Sequence, residues 1–162
     1  MKFLADGMLG KLTRWLRMLG QDVLYSVQFD DSQLLEFAKN EKWVLLTKDF
    51  GLYKRAISRG MDAYYVEGKT ESESLAEVAK RYGLSLMIDM DKSHCPVCNT
   101  KLKQTPKEQL QNELKKNTFT YYDKFWKCTN CRQIYWQGAH WTQINNTLNQ
   151  AQARLQKLKE KN

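Results

Sequence analysis

The sequence predicts an α/β fold built on a parallel sheet, followed by a small metal-stabilised unit and a terminal helix. Over the first ninety or so residues, short apolar runs alternate with helical patterns of about ten residues, and two Cys-x-x-Cys pairs follow them. A chain of 162 residues can bury one good core, and a small accessory unit needs additional stabilisation, such as a bound metal. We therefore expect three segments, residues 1–91, 92–141 and 142–162.

The strands and helices of the first segment follow from hydrophobic periodicity and glycine stops. Four apolar runs are predicted strands and a fifth run is a candidate: Lys2–Asp6, Asp22–Ser26, Trp43–Asp49, Asp62–Gly68 and residues 84–90, LSLMIDM. The intervening segments have helical spacing or helix stops, from Met8 to Leu19, from Ser32 to Glu41, from Gly51 to Gly60 and from Glu71 to Tyr82. Strands that alternate with helices in this way form parallel sheets.

Aspartates stand at the ends of the first three predicted strands. Asp6 ends the first strand, Asp31 follows the second next to Asp30, and Asp49 ends the third. Because parallel strands end at one edge of the sheet, these carboxylates should meet there, where α/β folds bind ligands. A hard divalent cation, Mg²⁺ or Mn²⁺, would relieve their repulsion and could activate water for attack on a phosphodiester.

Each of these aspartates also has a purely local interpretation. Asp31 can cap the helix that begins near Ser32, Asp6 beside Gly7 can likewise cap a helix, and Asp49 can open a turn. Only their common edge favours the metal site over these local roles.

Two cysteine pairs predict a zinc ribbon. Cys95 with Cys98 and Cys128 with Cys131 account for all four cysteines and are separated by 29 residues. Four thiolates in two tight turns suit tetrahedral Zn²⁺ in a structural role. Disulfides and a redox motif are the alternatives. A chain without a secretory segment does not favour disulfides, and a redox motif is disfavoured because neither pair lies at a strand-to-helix step of the α/β region.

The C-terminal part of the chain carries the whole excess of positive charge. Residues 1–91 hold 13 Lys and Arg against 14 Asp and Glu, whereas residues 92–162 hold 13 against 4. Such clustering favours a polyanion such as RNA, with Lys127 and Arg132 of the ribbon as candidate phosphate contacts; a solvated basic surface is the alternative. The aromatic residues around the second cysteine pair could stack on unpaired bases, but a small ribbon needs them first for packing.

The last segment reads as a helix from Thr142 onward. Its apolar residues keep a 4-3-4-3 spacing, and its last turns are basic: Ile144, Leu148, Ala151, Leu155 and Leu158, with Arg154, Lys157, Lys159 and Lys161. The stripe can dock on the same chain, form a dimer contact or leave a basic arm for RNA.

With both halves described, the sequence resembles the RNase family named for the C-terminal part of the Mut-seven exonuclease, a PIN-like domain followed by a zinc ribbon. Four segments carry the resemblance, in the family's order and up to Trp141: FLADGMLGKLTRWLRMLGQD, DDSQLLEFAKNEKWVLLTKD, CPVCN and FWKCTNCRQIYWQGAHW. The terminal helix lies outside it.

The resemblance implies metal-dependent cleavage of single-stranded RNA, with Asp6, Asp31 and Asp49 at the matching positions. Arg14 and Arg17 match the family's LxRWLR segment and are candidates to contact RNA or to brace the carboxylates. A PIN nuclease usually has a fourth acidic residue; here only Glu67 is a candidate, on geometry alone.

We therefore expect an endoribonuclease whose ribbon and tail bind RNA. A non-catalytic RNA- or ribosome-binding protein is the main alternative, and a protein-interaction module is another. Ribosomal RNA, transfer RNA and messenger RNA are all compatible substrates. No apolar run reaches the roughly 18 residues that span a bilayer, and charges interrupt the N-terminus, so we expect a soluble cytoplasmic protein without a membrane partner.

Overall fold

The computed structural model describes residues 1–161 and is organised around a four-stranded parallel sheet with the strand order β2-β1-β3-β4. The strands are β1 (Lys2–Asp6), β2 (Asp22–Ser26), β3 (Val44–Thr47) and β4 (Ala63–Tyr65). The helices between and after them are α1 (Gly10–Met18), α2 (Asp31–Glu41), α3 (Phe50–Ser58) and α4 (Glu71–Tyr82), and a 3-10 turn (Gly7–Leu9) precedes α1. The predicted α/β class and its parallel sheet are confirmed.

Helices cover both faces of the sheet, because successive strand residues point to opposite sides. On one face Phe3 and Ala5 pack in a cluster with buried residues of α1 and α4. On the other face Leu4 packs with residues of α2 and α3. Strands buried on both faces explain why the sheet's central runs are continuously apolar rather than alternating.

The predicted fifth strand does not form. Residues 84–90 are irregular, although their burial alternates, with Leu86 and Met90 buried and Met87 exposed. Ile88 packs against both the sheet core and the core of the zinc unit. The alternating burial of residues 84–90 therefore arises because this linker lies between two cores. Periodicity alone does not reveal whether a partner strand is present.

The cysteine-containing unit is built on a small antiparallel sheet with the order β5-β6-β7. Its strands are β5 (Lys103–Thr105), β6 (Phe125–Lys127) and β7 (Ile134–Tyr135), and the long connection holds a 3-10 turn (Lys107–Leu110) and α5 (Lys116–Tyr121). Its aromatics are mostly packed: Trp126 is buried and donates to Asp91 Oδ1 at 2.9 Å. Tyr135 and Trp141 cover the cysteine cluster. The packing role expected of them is confirmed for these three residues.

Arg17 holds the cysteine unit against the amino-terminal edge of the parallel sheet. Its guanidinium donates to Val23 O, at 2.9 Å from Nε and 2.7 Å from Nη2, and Nη1 lies 3.0 Å from Pro96 O and 3.3 Å from Val97 O. Asn99 adds a contact to Asp22 Oδ1 at 2.6 Å. Because Asp22 begins β2, the cysteine unit docks at the edge opposite to the one at which Asp6 ends β1.

The last helix, α6 (Trp141–Glu160), docks on its own chain. Leu148 and Ala151 are buried in the cluster that also contains residues of α1 and α4. Gln152 Nε2 donates to Leu86 O at 2.9 Å. The apolar stripe is thus used within the chain, and Arg154 and the lysines after it lie on the exposed side. Within residues 1–161, no helix combines the length and apolar character required to cross a bilayer.

Candidate functional site

Asp6 and Asp49 are joined through the hydroxyl of Thr47 at the carboxyl edge of the sheet. Thr47 Oγ1 donates to Asp6 Oδ2 at 2.9 Å, and Asp49 N donates to the same hydroxyl at 2.9 Å. Thr47 is fully buried, so its hydroxyl needs partners, and the register places it beside Asp6. The predicted meeting of the first and third strand ends is therefore present for these two residues.

Asp49 is also the N-cap of α3. Its Oδ1 accepts a hydrogen bond from Leu52 N at 3.0 Å, the contact that an N-cap carboxylate makes with the first turn. The local interpretation and the site interpretation of Asp49 are compatible, because the cap uses Oδ1 and leaves Oδ2 outside this contact. Asp6 likewise uses only Oδ2 toward Thr47.

Asp31 lies at the same edge but pairs with a cation. Arg55 Nη2 of α3 lies 2.5 Å from Asp31 Oδ2, and both side chains are about half exposed. Asp30, rather than Asp31, caps α2: its Oδ1 accepts from Gln33 N at 2.8 Å, and the Gln33 side chain returns a hydrogen bond to Asp30 N. The predicted capping role of Asp31 is wrong by one residue.

The three aspartates have the chemistry but not the closed geometry of a single-ion site. In the described chain, the four cysteines alone form a group of potential ligands whose donor atoms all lie within 4.8 Å of one another. Asp6 and Asp49 fit Mg²⁺ or Mn²⁺ in kind, because such ions bind through one or two carboxylates and keep several waters. Asp31 fits only once its carboxylate leaves Arg55.

Glu67, the candidate fourth acid, is exposed and lines a groove between α4 and α6. The groove has a volume of about 780 Å³ and also contains Tyr64, Glu77 and Arg154. Burial raises the pKa of Glu77, since desolvation outweighs the hydrogen bond that Gly68 N donates to it. Burial likewise raises the pKa of Tyr64 to about 12.

The four cysteine sulfurs suit a tetrahedral metal such as zinc. The Sγ atoms of Cys95 and Cys131 are 3.5 Å apart, and those of Cys98 and Cys128 are 3.4 Å apart. Four thiolates bound tetrahedrally at about 2.3 Å would be roughly 3.8 Å apart. The cluster predicted from spacing is therefore assembled.

The two cysteine turns have the same backbone hydrogen bonds. Cys95 N donates to Thr100 O at 2.7 Å, and Cys128 N donates to Gln133 O at 2.9 Å. The residue after each second cysteine has a positive φ, 72° at Asn99 and 65° at Arg132. Each turn thus folds its two thiols toward one point.

The four basic residues predicted to contact RNA have different surroundings. Arg17 is 6% exposed, and desolvation lowers its pKa, while its donors are used on backbone carbonyls. This placement contradicts a phosphate contact, because a buried guanidinium that bridges two units cannot reach a polyanion. Arg14 is exposed. Lys127 and Arg132 line a groove of about 510 Å³ on the ribbon, although Lys127 Nζ is paired with Glu113 at 2.9 Å.

Two residues that contact these aspartates carry no assignment from the sequence. Thr47 could have been noticed, since a hydroxyl inside the apolar run Val44–Thr47 must find a buried partner. Arg55 gave no such signal, because it lies 24 residues from Asp31 on another helix.

Comparison with known families agrees with this architecture. Residues 1–148 match the family model described as the Mut7-C RNAse domain. No curated protein and no solved structure gives a significant match. The family match covers the acidic edge, the cysteine cluster and the first part of α6. The chain therefore belongs to the Mut7-C RNAse domain family, and its function is of the ribonuclease type or otherwise related to RNA.

Proposed function

We propose that this chain is a metal-dependent endoribonuclease that hydrolyses phosphodiester bonds of single-stranded RNA, with Asp6, Asp31 and Asp49 as its acidic centre. The observation that carries the proposal is the hydrogen-bonded link from Asp49 N through the Thr47 hydroxyl to Asp6 Oδ2. It ties the carboxylate of Asp6 to the backbone of Asp49, 43 positions apart in the sequence, at the edge where α/β folds bind their ligands.

Asp6 and Asp49 would hold Mg²⁺ or Mn²⁺ through the oxygens that Thr47 and the α3 cap leave available. When bound, such an ion supplies Lewis-acid stabilisation of the phosphodiester and lowers the pKa of water. Thr47 positions both residues: its single hydroxyl donates to one and accepts from the backbone of the other, so the two strand ends cannot separate without breaking a partly buried hydrogen bond.

Asp31 is the third member of the centre and Arg55 is its partner in the absence of substrate. Both side chains are about half exposed, so the ion pair contributes about 0–1 kcal/mol and is easily opened. Opening it leaves the Asp31 carboxylate for the centre and the Arg55 guanidinium for an RNA phosphate, which its planar fork suits.

The cysteine cluster is proposed to hold a structural Zn²⁺ and to keep a second RNA-binding surface in shape. Lys127 and Arg132, with Lys103, line its groove. Since the ribbon docks at the opposite edge of the sheet, this surface binds a part of the RNA distant from the cleaved bond. Arg14, exposed on α1, is a further proposed contact.

A non-catalytic RNA- or ribosome-binding protein is the second candidate. Two observations favour it: Asp31 is paired with Arg55, and in the described residues the acidic centre lacks the compactness of the cysteine cluster. Under this alternative the basic ribbon carries the function, Asp49 is only the N-cap of α3, and Asp31 is only the partner of Arg55.

Cleavage of a labelled single-stranded RNA with Mn²⁺ separates the two candidates. Asp49→Asn is the test variant, because asparagine keeps the N-cap of α3 while it removes the charge. Asp30→Asn is the matched control, since Asp30 is also an N-cap at this edge. The proposal expects Asp49→Asn to reduce the cleavage rate by at least about 100-fold, because loss of a metal ligand costs more than loss of a residue that only orients one. Asp30→Asn should cleave at a rate near that of the wild type. Equal rates in the wild type and Asp49→Asn would contradict it.

A further inference from the structure

Exposed apolar side chains are concentrated around the acidic edge. Nine large apolar side chains are exposed in the described part of the chain, and four of them lie in the connections that leave β1, β2 and β3 at this edge. These four are Met8, Val27, Phe29 and Phe50. Apolar side chains gathered around one site mark a binding surface, whereas scattered ones need no explanation.

Phe50 is the member of this group with the most specific surroundings. It directly follows Asp49, is 54% exposed, and is the first residue of α3. Its ring is stacked with Tyr53 at 6.1 Å between centroids and makes a T-shaped contact with Tyr65 at 5.3 Å. Its orientation is thus held by two half-buried tyrosines, while about half of the side chain stays accessible to solvent.

A positive charge accompanies the ring. Lys54 Nζ, one helical turn later, lies over the ring of Phe50 at 5.6 Å from its centroid, so a base that stacks on this face displaces the ammonium toward its own phosphate. An exposed aromatic ring beside a lysine is the combination with which proteins bind single-stranded nucleic acid, since the ring stacks on a base and the cation meets the phosphate.

We propose that Phe50 is a specificity-determining residue that stacks on an unpaired nucleobase next to the cleaved phosphodiester. This inference rests on the proposed ribonuclease function. Neighbouring α-carbons are about 3.8 Å apart, so a base on Phe50 belongs to a nucleotide whose phosphate lies close to Asp49. A base held in a duplex has its faces covered by its neighbours and cannot stack on Phe50. The subsite therefore makes the centre selective for unpaired RNA.

The test measures binding and cleavage separately. A single-stranded RNA with one 2-aminopurine is titrated with the zinc-loaded full chain without added Mg²⁺ or Mn²⁺, and the quenching of 2-aminopurine reports stacking. Phe50→Ala is expected to weaken binding by about 5- to 150-fold and to abolish the quenching. Phe50→Trp restores both, and Ile57→Ala, an exposed residue further along the same helix, changes binding less than about twofold.

Three results would overturn the inference. The first is binding of Phe50→Ala within twofold of wild type with quenching intact. The second is an equal loss of affinity for single-stranded and duplex RNA of one sequence. The third is loss of self-association by Phe50→Ala with unchanged RNA binding, which would assign the patch to a protein contact.

Cleavage assays distinguish this failure from failure of the proposed function. If the wild type cleaves with Mn²⁺ and Phe50→Ala has the same KM and kcat, the stacking subsite is excluded. The ribonuclease proposal then still stands. If the wild type binds RNA with Phe50-dependent quenching but never cleaves it, the stacking subsite stands. The ribonuclease proposal is then excluded.

Discussion

Replacement of Arg17 by methionine tests the joint between the parallel sheet and the cysteine unit. Methionine keeps a long, unbranched side chain at this position but removes every hydrogen-bond donor of the guanidinium. Val23 O is buried and loses two hydrogen bonds, and the carbonyls of Pro96 and Val97 lose one each. A buried group left unsatisfied costs about 1–3 kcal/mol, and the two partly exposed carbonyls regain water. We therefore expect a loss of about 1–3 kcal/mol in the free energy of unfolding, mainly from the buried carbonyl of Val23.

Urea denaturation followed by circular dichroism measures this loss. Arg14→Met is the matched control, because Arg14 is exposed on the same helix and its replacement should change stability by less than about 0.5 kcal/mol. Arg17→Lys keeps the charge but not the fork, so it should also destabilise the protein. An Arg17→Met variant as stable as wild type but weaker in RNA binding would refute this reasoning and restore Arg17 as a phosphate contact.

Four further outcomes are expected. Thr47→Val removes the hydroxyl that links the acidic residues and should reduce Mn²⁺-dependent cleavage about 10- to 100-fold, with the fold retained by circular dichroism; unchanged cleavage would contradict the positioning role. Gly68→Ala places a Cβ 2.5 Å from Ser74 N and should cost about 1–3 kcal/mol, measured as a lower Tm. Glu77→Gln should stabilise the protein at neutral pH: a carboxylate with a raised folded pKa contributes its stability at low pH and loses it as the pH rises through that pKa. The variant's stability should therefore be flatter with pH in unfolding curves from pH 4 to 8. Cys128→Ser should lower the zinc content below one per chain by mass spectrometry and loosen the packing of the ribbon; full zinc retention would contradict the four-thiolate site.

Much of the fold could be read from local patterns because they coincide with tertiary demands. β1, β2 and α4 have the predicted bounds, Lys2–Asp6, Asp22–Ser26 and Glu71–Tyr82. In α4, a capping box at Thr70 and a left-handed Gly83 set both ends, so the sequence itself carries the stop signals. The cysteine cluster was equally readable, since two short spacings determine two turns.

The parts that could not be predicted depend on contacts between distant segments. Residues 84–90 alternate like a strand but lie between two cores. Arg17 looked like one more cation on the polar side of α1, yet its helix turn meets the cysteine unit that begins 78 residues later at Cys95. The Asp31–Arg55 pair joins two helices with no shared motif. In each case the deciding partner is remote in sequence, so periodicity and spacing hold no trace of it.

The location of bound Mn²⁺ is the most direct test of the acidic centre. Crystals grown with Mn²⁺ and measured for anomalous scattering would locate the ion without relying on activity. The account predicts an ion in contact with Asp6 and Asp49, with Asp31 released from Arg55. If crystals saturated with Mn²⁺ show no ion at Asp6 and Asp49, and Asp31 still pairs with Arg55, the account is contradicted.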